Sequence, residues 1–219
     1  MGKRRREMGK IQILIADDHP IIRAGLKQII SETNDMTIAD EAGNGQEVLN
    51  LVRKKKYDLL LLDISMPGRN GLEILKELKS EYPKLPVLIL SIYPEEQYAV
   101  RAFRAGASGY LTKESAANEL ISAIYKIVKG GRYVSESLAE ELTYYLDKDA
   151  SRPLHDLLTD REYQVMLLLG SGRTVKEAAE ELHLSVKTIS TYRTHILEKM
   201  NMKNNAELTL YVVKNNLVK

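Results

Sequence analysis

Two stretches, Ile11-Gln-Ile-Leu-Ile-Ala-Asp-Asp18 and Asp58-Leu-Leu-Leu-Leu-Asp63, decide how this chain is read. Each is a short apolar run that ends on carboxylates. Runs of this length, bounded by turn residues, read as strands buried on both faces of a parallel sheet. Side chains at the carboxyl ends of such strands meet in the crevice where open α/β sheets bind ligands. Asp17, Asp18 and Asp63 crowded there repel one another, so the cluster makes sense around a hard divalent cation such as Mg²⁺. A later strand, in Gly109-Tyr-Leu-Thr-Lys113, ends on a lysine that adds a positive charge to the same pocket. Such a combination suits a phosphoryl group.

Working outward, strand-like and helix-like segments alternate to about residue 130. Expected strands are Ile11–Ala16, Met36–Ala42, Asp58–Leu62, Pro86–Ser91 and Ser108–Leu111. Helices are expected over Pro20–Ile30, from the Gly43-Asn-Gly45 turn to Arg53, up to Ser80, over Glu95–Ala105 and over Ser115–Val128. Five βα units with right-handed crossovers imply an α/β fold, a five-stranded doubly wound parallel sheet of flavodoxin-like order 2-1-3-4-5. Gly130-Gly131 closes this domain. A polar helical stretch over Ser135–Asp147 then leads into Lys148-Asp-Ala-Ser-Arg-Pro153, which has linker chemistry. Beyond it a small all-α domain is expected, with helices over Thr159–Leu169, Thr174–Leu182, Ser185–Met200 and Asn205–Lys214. Thr159 with Glu162 forms a capping-box pattern, and Ser185 is a natural N-cap. The tight junction at Leu182–Ser185 suggests a helix-turn-helix. The expected organisation is a domain over 10–130, a linker with a helical stretch over 131–153, and a helix-turn-helix domain over 154–219.

Composition narrows the function classes. The chain has 219 residues and no cysteine, which excludes disulfides, thiolate metal sites and a thiol nucleophile. No apolar stretch approaches the roughly 20 residues that span a bilayer, so no membrane partner and a cytoplasmic location are expected. The net charge of +2 hides a basic start, residues 1–10, and an acidic stretch over 11–152. The C-terminal part is near neutral, so any nucleic-acid reading there rests on local clustering. Arg4-Arg5-Arg6 reads as a solvated tail.

Each acidic residue has a plainer explanation alone. Asp17 or Asp18 suits a cap for the helix opened by Pro20, Asp63 an Asx-turn, Lys113 a solvated surface lysine. Their joint occurrence at the ends of strands one, three and five favours a shared site. Asp17-Asp18, Asp63 with Met66-Pro67-Gly68, Ser91 and Lys113 resemble a response-regulator receiver domain over about Lys10–Lys129. The resemblance implies that Asp63 accepts a phosphoryl group from a sensor histidine kinase. It further implies that Asp18, Asp63 and the Ser65 carbonyl ligate Mg²⁺, Asp17 binds it through water, and Lys113 pairs with phosphoryl oxygens. Ser91 and Tyr110 resemble the family's switch pair, Tyr110 turning inward when Ser91 bonds the phosphoryl group. Glu114 stands where many receivers have proline.

In Ser185-Val-Lys-Thr-Ile-Ser-Thr-Tyr-Arg-Thr-His-Ile-Leu-Glu-Lys-Met200, Ile189, Ile196 and Met200 form an apolar stripe opposite Lys187, Ser190, Thr191 and Thr194. Residues 184–203 carry four basic side chains against Glu198, as a phosphate-contacting element requires. A plain amphipathic helix fits the same pattern. The wider set Leu158-Thr-Asp-Arg-Glu162, Thr174-Val-Lys-Glu-Ala-Ala179 and Leu184-Ser-Val-Lys-Thr-Ile189 resembles a LuxR-type helix-turn-helix, and the whole chain a NarL/FixJ-type response regulator. By that resemblance Ser190, Thr191 and Thr194 face base edges of double-stranded DNA, while Lys187, Thr188, Arg193 and Lys199 suit phosphates. Thr174 and Lys176 suit backbone contact at a helix start. Tyr192 departs from the family's usual histidine. A homodimer is expected in the phosphorylated or DNA-bound state, with Leu208, Tyr211 and Val212 serving either as its surface or as core. The chain is expected to act on itself alone, through aspartate phosphorylation and dephosphorylation. The rivals are an aspartate-nucleophile phosphatase and a regulator whose DNA binding ignores phosphorylation.

Overall fold

A computed structural model of the chain describes residues 9–135, 138 and 153–218. The basic tail and most of the expected helical stretch and linker over 135–153 lie outside them. The chain divides into two compact units, one of Met1–Ile92 with Arg101–Val134, the other of Tyr93–Val100 with Ser135–Lys219. The sequence expectation kept residues 93–100 in the first domain.

The first unit holds five parallel strands in the order β2-β1-β3-β4-β5. They are β1 (Ile11–Ala16), β2 (Met36–Ala42), β3 (Leu59–Asp63), β4 (Val87–Ser91) and β5 (Gly109–Thr112). Every residue of β3 and β4 is buried, the signature of central parallel strands covered on both faces. The intervening helices are α1 (Pro20–Ser31), α2 (Gly45–Lys54), α3 (Gly71–Glu81), α4 (Glu95–Arg104) and α5 (Ala116–Val128). Ile13, Ile15, Leu59, Leu61, Leu88, Leu90 and Leu111 pack with Leu26 and Ile30 of α1 and with Leu120, Ile124 and Ile127 of α5. The period of two along a strand sends Leu14, Leu60 and Leu62, equally buried, to the opposite face.

Caps fix where the helices start. The Asn44 side chain accepts the backbone N–H of Glu47, and Asn70 that of Leu72. Pro20 opens α1, whose N-cap residue His19 makes no side-chain capping bond. Neither Asp17 nor Asp18 is the N-cap residue, although Asp17 Oδ1 accepts the His19 N–H at the start of the helix. β3 lies one residue later than expected because Asp58 turns its carboxylate back onto the Gln12 N–H at 2.8 Å.

The described part of the second unit after a short 3₁₀ turn, Leu154–Leu157, is helical: α6 (Asp160–Gly170), α7 (Val175–Glu181), α8 (Val186–Lys199) and α9 (Asn205–Lys214). The Thr159–Glu162 capping box is present, Thr174–Glu177 forms a second, and Ser185 caps α8. α6 is buried along its length and packs against α8 and α9. A Cβ added at Gly170 would fall 2.5 Å from Val212, so the glycine sets how closely α6 and α9 approach. Each of α7, α8 and α9 is followed by a left-handed residue, His183, Asn201 and Asn216. The N–H after each turns back to a carbonyl of the last helical turn, as from Leu184 to Ala179 at 2.9 Å. The turn between α7 and α8 thus uses histidine where glycine fits with less strain. Ile189, Ile196 and Met200 are core, as the stripe predicts.

Candidate functional site

Strand register brings the acidic residues together. Ala16 pairs with Leu62, so Asp17, the next residue, falls beside Asp63. Asp63 pairs with Leu90, and Ser91 with Thr112, so Lys113 continues the same edge. One ligand atom each from Asp17, Asp18, His19 and Asp63 lies within 4.8 Å of the others. Asp17 and Asp63 are each 1% exposed, which makes this a pocket rather than a decorated surface.

Lys113 is the counter-charge. Its Nζ lies 2.6 Å from Asp17 Oδ2 and 2.8 Å from Asp63 Oδ2. The second Asp63 oxygen accepts the Ser65 N–H at 3.1 Å. Burial holds the Asp63 carboxyl above its ordinary range, Lys113 working against that shift and Asp17 adding to it. Burial alone would lower Lys113, but Asp63 and Asp17 together carry its ammonium above the ordinary lysine value. Lys113 therefore stays charged.

His19 completes the rim. Its N–H bonds Asp17 Oδ1 at 2.8 Å, and its Nδ1 lies 3.2 Å from that oxygen and 2.8 Å from Asp18 Oδ1. The Ser65 hydroxyl is buried and takes part in no hydrogen bond, and Asp18 Oδ1 is buried beside the His19 imidazole. Carboxylate oxygens gathered this closely and largely buried suit a cation. The donor set, three carboxylates with His19 at the rim, is dominated by oxygen and fits a hard divalent metal.

Ser91 and Tyr110 are both fully buried, at the end of β4 and within β5. Tyr110 is thus not the half-exposed edge aromatic that the sequence allows.

Sequence reasoning missed Asn70 and Gly71. Asn70 is wholly buried and opens α3. A Cβ on Gly71 would lie 2.1 Å from the Asp63 carbonyl oxygen, so only glycine lets α3 start against the acidic residue. It missed Arg23 as well, whose Nη1 donates to the Asp17 carbonyl at 2.6 Å while its Nε donates to Glu41. His19 carried the one available signal, adjacency to Asp17 and Asp18.

In the second unit Lys187, Ser190, Thr191 and Thr194 are all exposed on α8. Lys176 is exposed too and lies 4.0 Å from Glu180. The Thr174 hydroxyl donates to Glu177, and the Thr188 hydroxyl pairs with Ser185, so both serve caps. Arg193 Nε donates to Asn205 at 2.6 Å, which ties α8 to the start of α9. Lys199 is already engaged within the domain: its ammonium holds both Glu162 oxygens, at 2.8 and 2.6 Å, and braces α8 against α6. Leu208 and Val212 are core, and Tyr211 bonds His155, because the inner face of α9 meets α6. The outward apolar residues of α9 are Leu210 and Val213.

Comparison with known proteins decides the family. Residues 13–125 match the response regulator receiver domain, and residues 156–212 match the bacterial regulatory proteins of the luxR family. The chain is a NarL/FixJ-type response regulator. It is 33% identical to response regulator GacA of Pseudomonas protegens over 208 residues, covering 95% of this chain and 98% of that one. It is 35% identical to oxygen regulatory protein NreC of Staphylococcus carnosus over 216 residues, covering 95% and 99%. Among solved structures it resembles the RcsB response regulator of Salmonella typhimurium, at 25% identity and a TM-score of 0.67, covering 95% and 99%. RcsB has also been solved as a DNA complex, matched at 25% identity and a TM-score of 0.58, covering 96% and 100%. This response regulator accordingly pairs a receiver with a LuxR-type DNA-binding domain and regulates transcription. No helix among the described residues is long and apolar enough to cross a membrane.

Proposed function

We propose that Asp63 is the phosphoacceptor and that its phosphorylation controls binding of the LuxR-type domain to double-stranded DNA. The observation that supports this most is the Lys113 ammonium set between Asp63 and Asp17 at the ends of β5, β3 and β1.

An Asp63 carboxylate oxygen attacks the phosphorus of a phosphohistidine on a sensor kinase. The new O–P bond forms as the P–N bond breaks, and the electron pair leaves with the imidazole nitrogen. Negative charge on the transferring oxygens needs neutralising and orientation rather than acid–base machinery. Lys113, already charged and within reach of Asp63, passes from carboxylate to phosphoryl oxygen. Asp18, Asp63 and the Ser65 carbonyl would hold Mg²⁺, with Asp17 acting through water; the ion supplies further charge neutralisation. Ser91, buried at the end of β4, is the hydroxyl that senses the phosphoryl group, with Tyr110 as its partner. The acyl phosphate is labile, so the chain acts on itself and is no enzyme toward other substrates.

The DNA face is α8, with Lys187 and Lys176 on phosphates and Ser190, Thr191 and Thr194 toward bases. Leu210 and Val213 give α9 an outward apolar pair suited to a second copy. With a kinase and DNA as partners, and no membrane-crossing helix among the described residues, the protein works in the cytoplasm.

Acetyl phosphate with Mg²⁺ should add one phosphoryl mass to the wild type and none to Asp63→Asn, and beryllofluoride should raise operator affinity only in the wild type. Labelling retained in Asp63→Asn refutes the acceptor assignment. Operator affinity indifferent to beryllofluoride makes the receiver a docking module, and turnover of exogenous phosphate esters would make the protein a phosphatase.

A further inference from the structure

We propose that α8 reads bases as a set of hydrogen-bond acceptors and methyl groups. It then selects thymine methyls and the amino hydrogens of adenine or cytosine over the N7 and O6 acceptors of guanine. The inference deepens the DNA-binding reading and rests on it.

The decisive observation is where the hydroxyl protons go. Ser190 Oγ donates to the Val186 carbonyl at 2.9 Å, Thr191 Oγ1 to Lys187 at 3.1 Å, and Thr194 Oγ1 to Ser190 at 3.1 Å. All three side chains are exposed and lie within one turn of each other on the presented face. A hydroxyl has one proton and two acceptor lone pairs. With the proton turned back on the helix four residues earlier, the oxygen is left as an acceptor. Thr191 and Thr194 each also carry a methyl on an exposed side chain, and Val186, 51% exposed, adds apolar surface at the start of the same helix.

In the major groove guanine offers two acceptors, adenine N6 and cytosine N4 are donors, and thymine carries a methyl. Guanine N7 and O6 need donors, and an acceptor set against them would leave both sides desolvated and unpaired. Arg193 has its Nε committed to Asn205, which ties its guanidinium to the start of α9 and leaves only its Nη groups to donate. Lys187 is a point charge suited to phosphate. What remains is a surface matched to A·T pairs and to the cytosine edge.

The test is enrichment of binding sites from a random duplex library with the beryllofluoride-treated full-length protein. Anisotropy titrations of single-atom base analogues in the enriched site then follow. Replacing contacted thymines by deoxyuridine should weaken binding about fourfold per methyl, the worth of one apolar group withdrawn from water. Replacing purines by their 7-deaza analogues should leave affinity unchanged. Thr194→Val, which keeps a methyl and loses the oxygen, should keep the deoxyuridine effect at its position, and Thr194→Ser should abolish it. Circular dichroism of both variants checks that α8 stays folded. An enriched site that loses affinity with 7-deazaguanine and ignores deoxyuridine overturns this inference alone. A library that yields no enriched sequence overturns the DNA-binding reading and this inference with it.

Discussion

Lys113 Nζ stands 2.8 Å from Asp63 Oδ2 while its carbon stem and both carboxylate partners are almost wholly buried. The ammonium is thus the fixed cation of the receiver pocket. Removing it leaves Asp17 and Asp63 as uncompensated neighbours. Lys113→Ala should cost about 3–5 kcal/mol, as loss of one partner from a buried pair does. Millimolar Mg²⁺ should restore part of the loss, because a divalent ion can take over the neutralisation. Thermal unfolding with and without Mg²⁺ checks this, and a variant as stable as wild type in metal-free buffer contradicts it.

Gly71 tests the packing behind the pocket. Its added Cβ would sit 2.1 Å from the Asp63 carbonyl and 2.8 Å from the Ile64 Cα, both backbone atoms. Gly71→Ala should exceed the roughly 1–3 kcal/mol of ordinary overpacking, since the backbone carrying the phosphoacceptor must move. Gly25→Ala, with open space around it in α1, should instead gain about 0.5–1 kcal/mol. Urea midpoints of the two variants separate these outcomes, and acetyl-phosphate labelling of folded Gly71→Ala should fall.

Glu162 gives the second unit an acid-sensitive joint. Burial alone would raise its carboxyl, but hydrogen bonds from Lys199 and Thr159 outweigh burial and hold it below the ordinary glutamate range. The folded state thus binds fewer protons than the unfolded one across that interval. The stability from this group is complete above the ordinary glutamate value and lost as pH falls toward the lowered one. Thermal unfolding between neutral pH and about pH 3 should show this loss in wild type and less of it in Glu162→Gln. Identical acid profiles would count against the ion pair.

Lys187 and Lys199 should part company on DNA. Lys187→Ala should weaken binding to every sequence and lower the salt slope of affinity by about one, the mark of a lost phosphate contact. Lys199→Ala should lower the unfolding midpoint, through Glu162, and leave the salt slope unchanged. A salt slope that falls with Lys199 and not with Lys187 reverses the two roles.

Much of this was legible in the residues. Buried strand runs, helix caps and the carboxylates closing β1 and β3 are local patterns, and so the strand order, the helices near their observed ends and the set Asp17, Asp18, Asp63 and Lys113 could be read from the chain. Contacts between residues far apart could not. The Glu162–Lys199 strut joins positions whose sequence neighbours give no sign of each other, and a basic residue near a helix end looks the same whether it faces phosphate or a buried glutamate. The choice for α9 between core and surface was likewise open, because Leu208 and Val212 share helical spacing with the outward Leu210 and Val213 only loosely.

The amino-acid sequence by itself determined the fold class, the family resemblance and which carboxylates and lysine close the strands, since periodicity and strand ends are short-range properties. Tertiary structure alone decided which cation neutralises which anion, that Gly71 must lack a side chain, that Tyr110 is fully buried, and that the hydroxyls of α8 face back on their own helix. Those depend on packing at distances of a few ångströms, and the linear order of residues does not encode such distances.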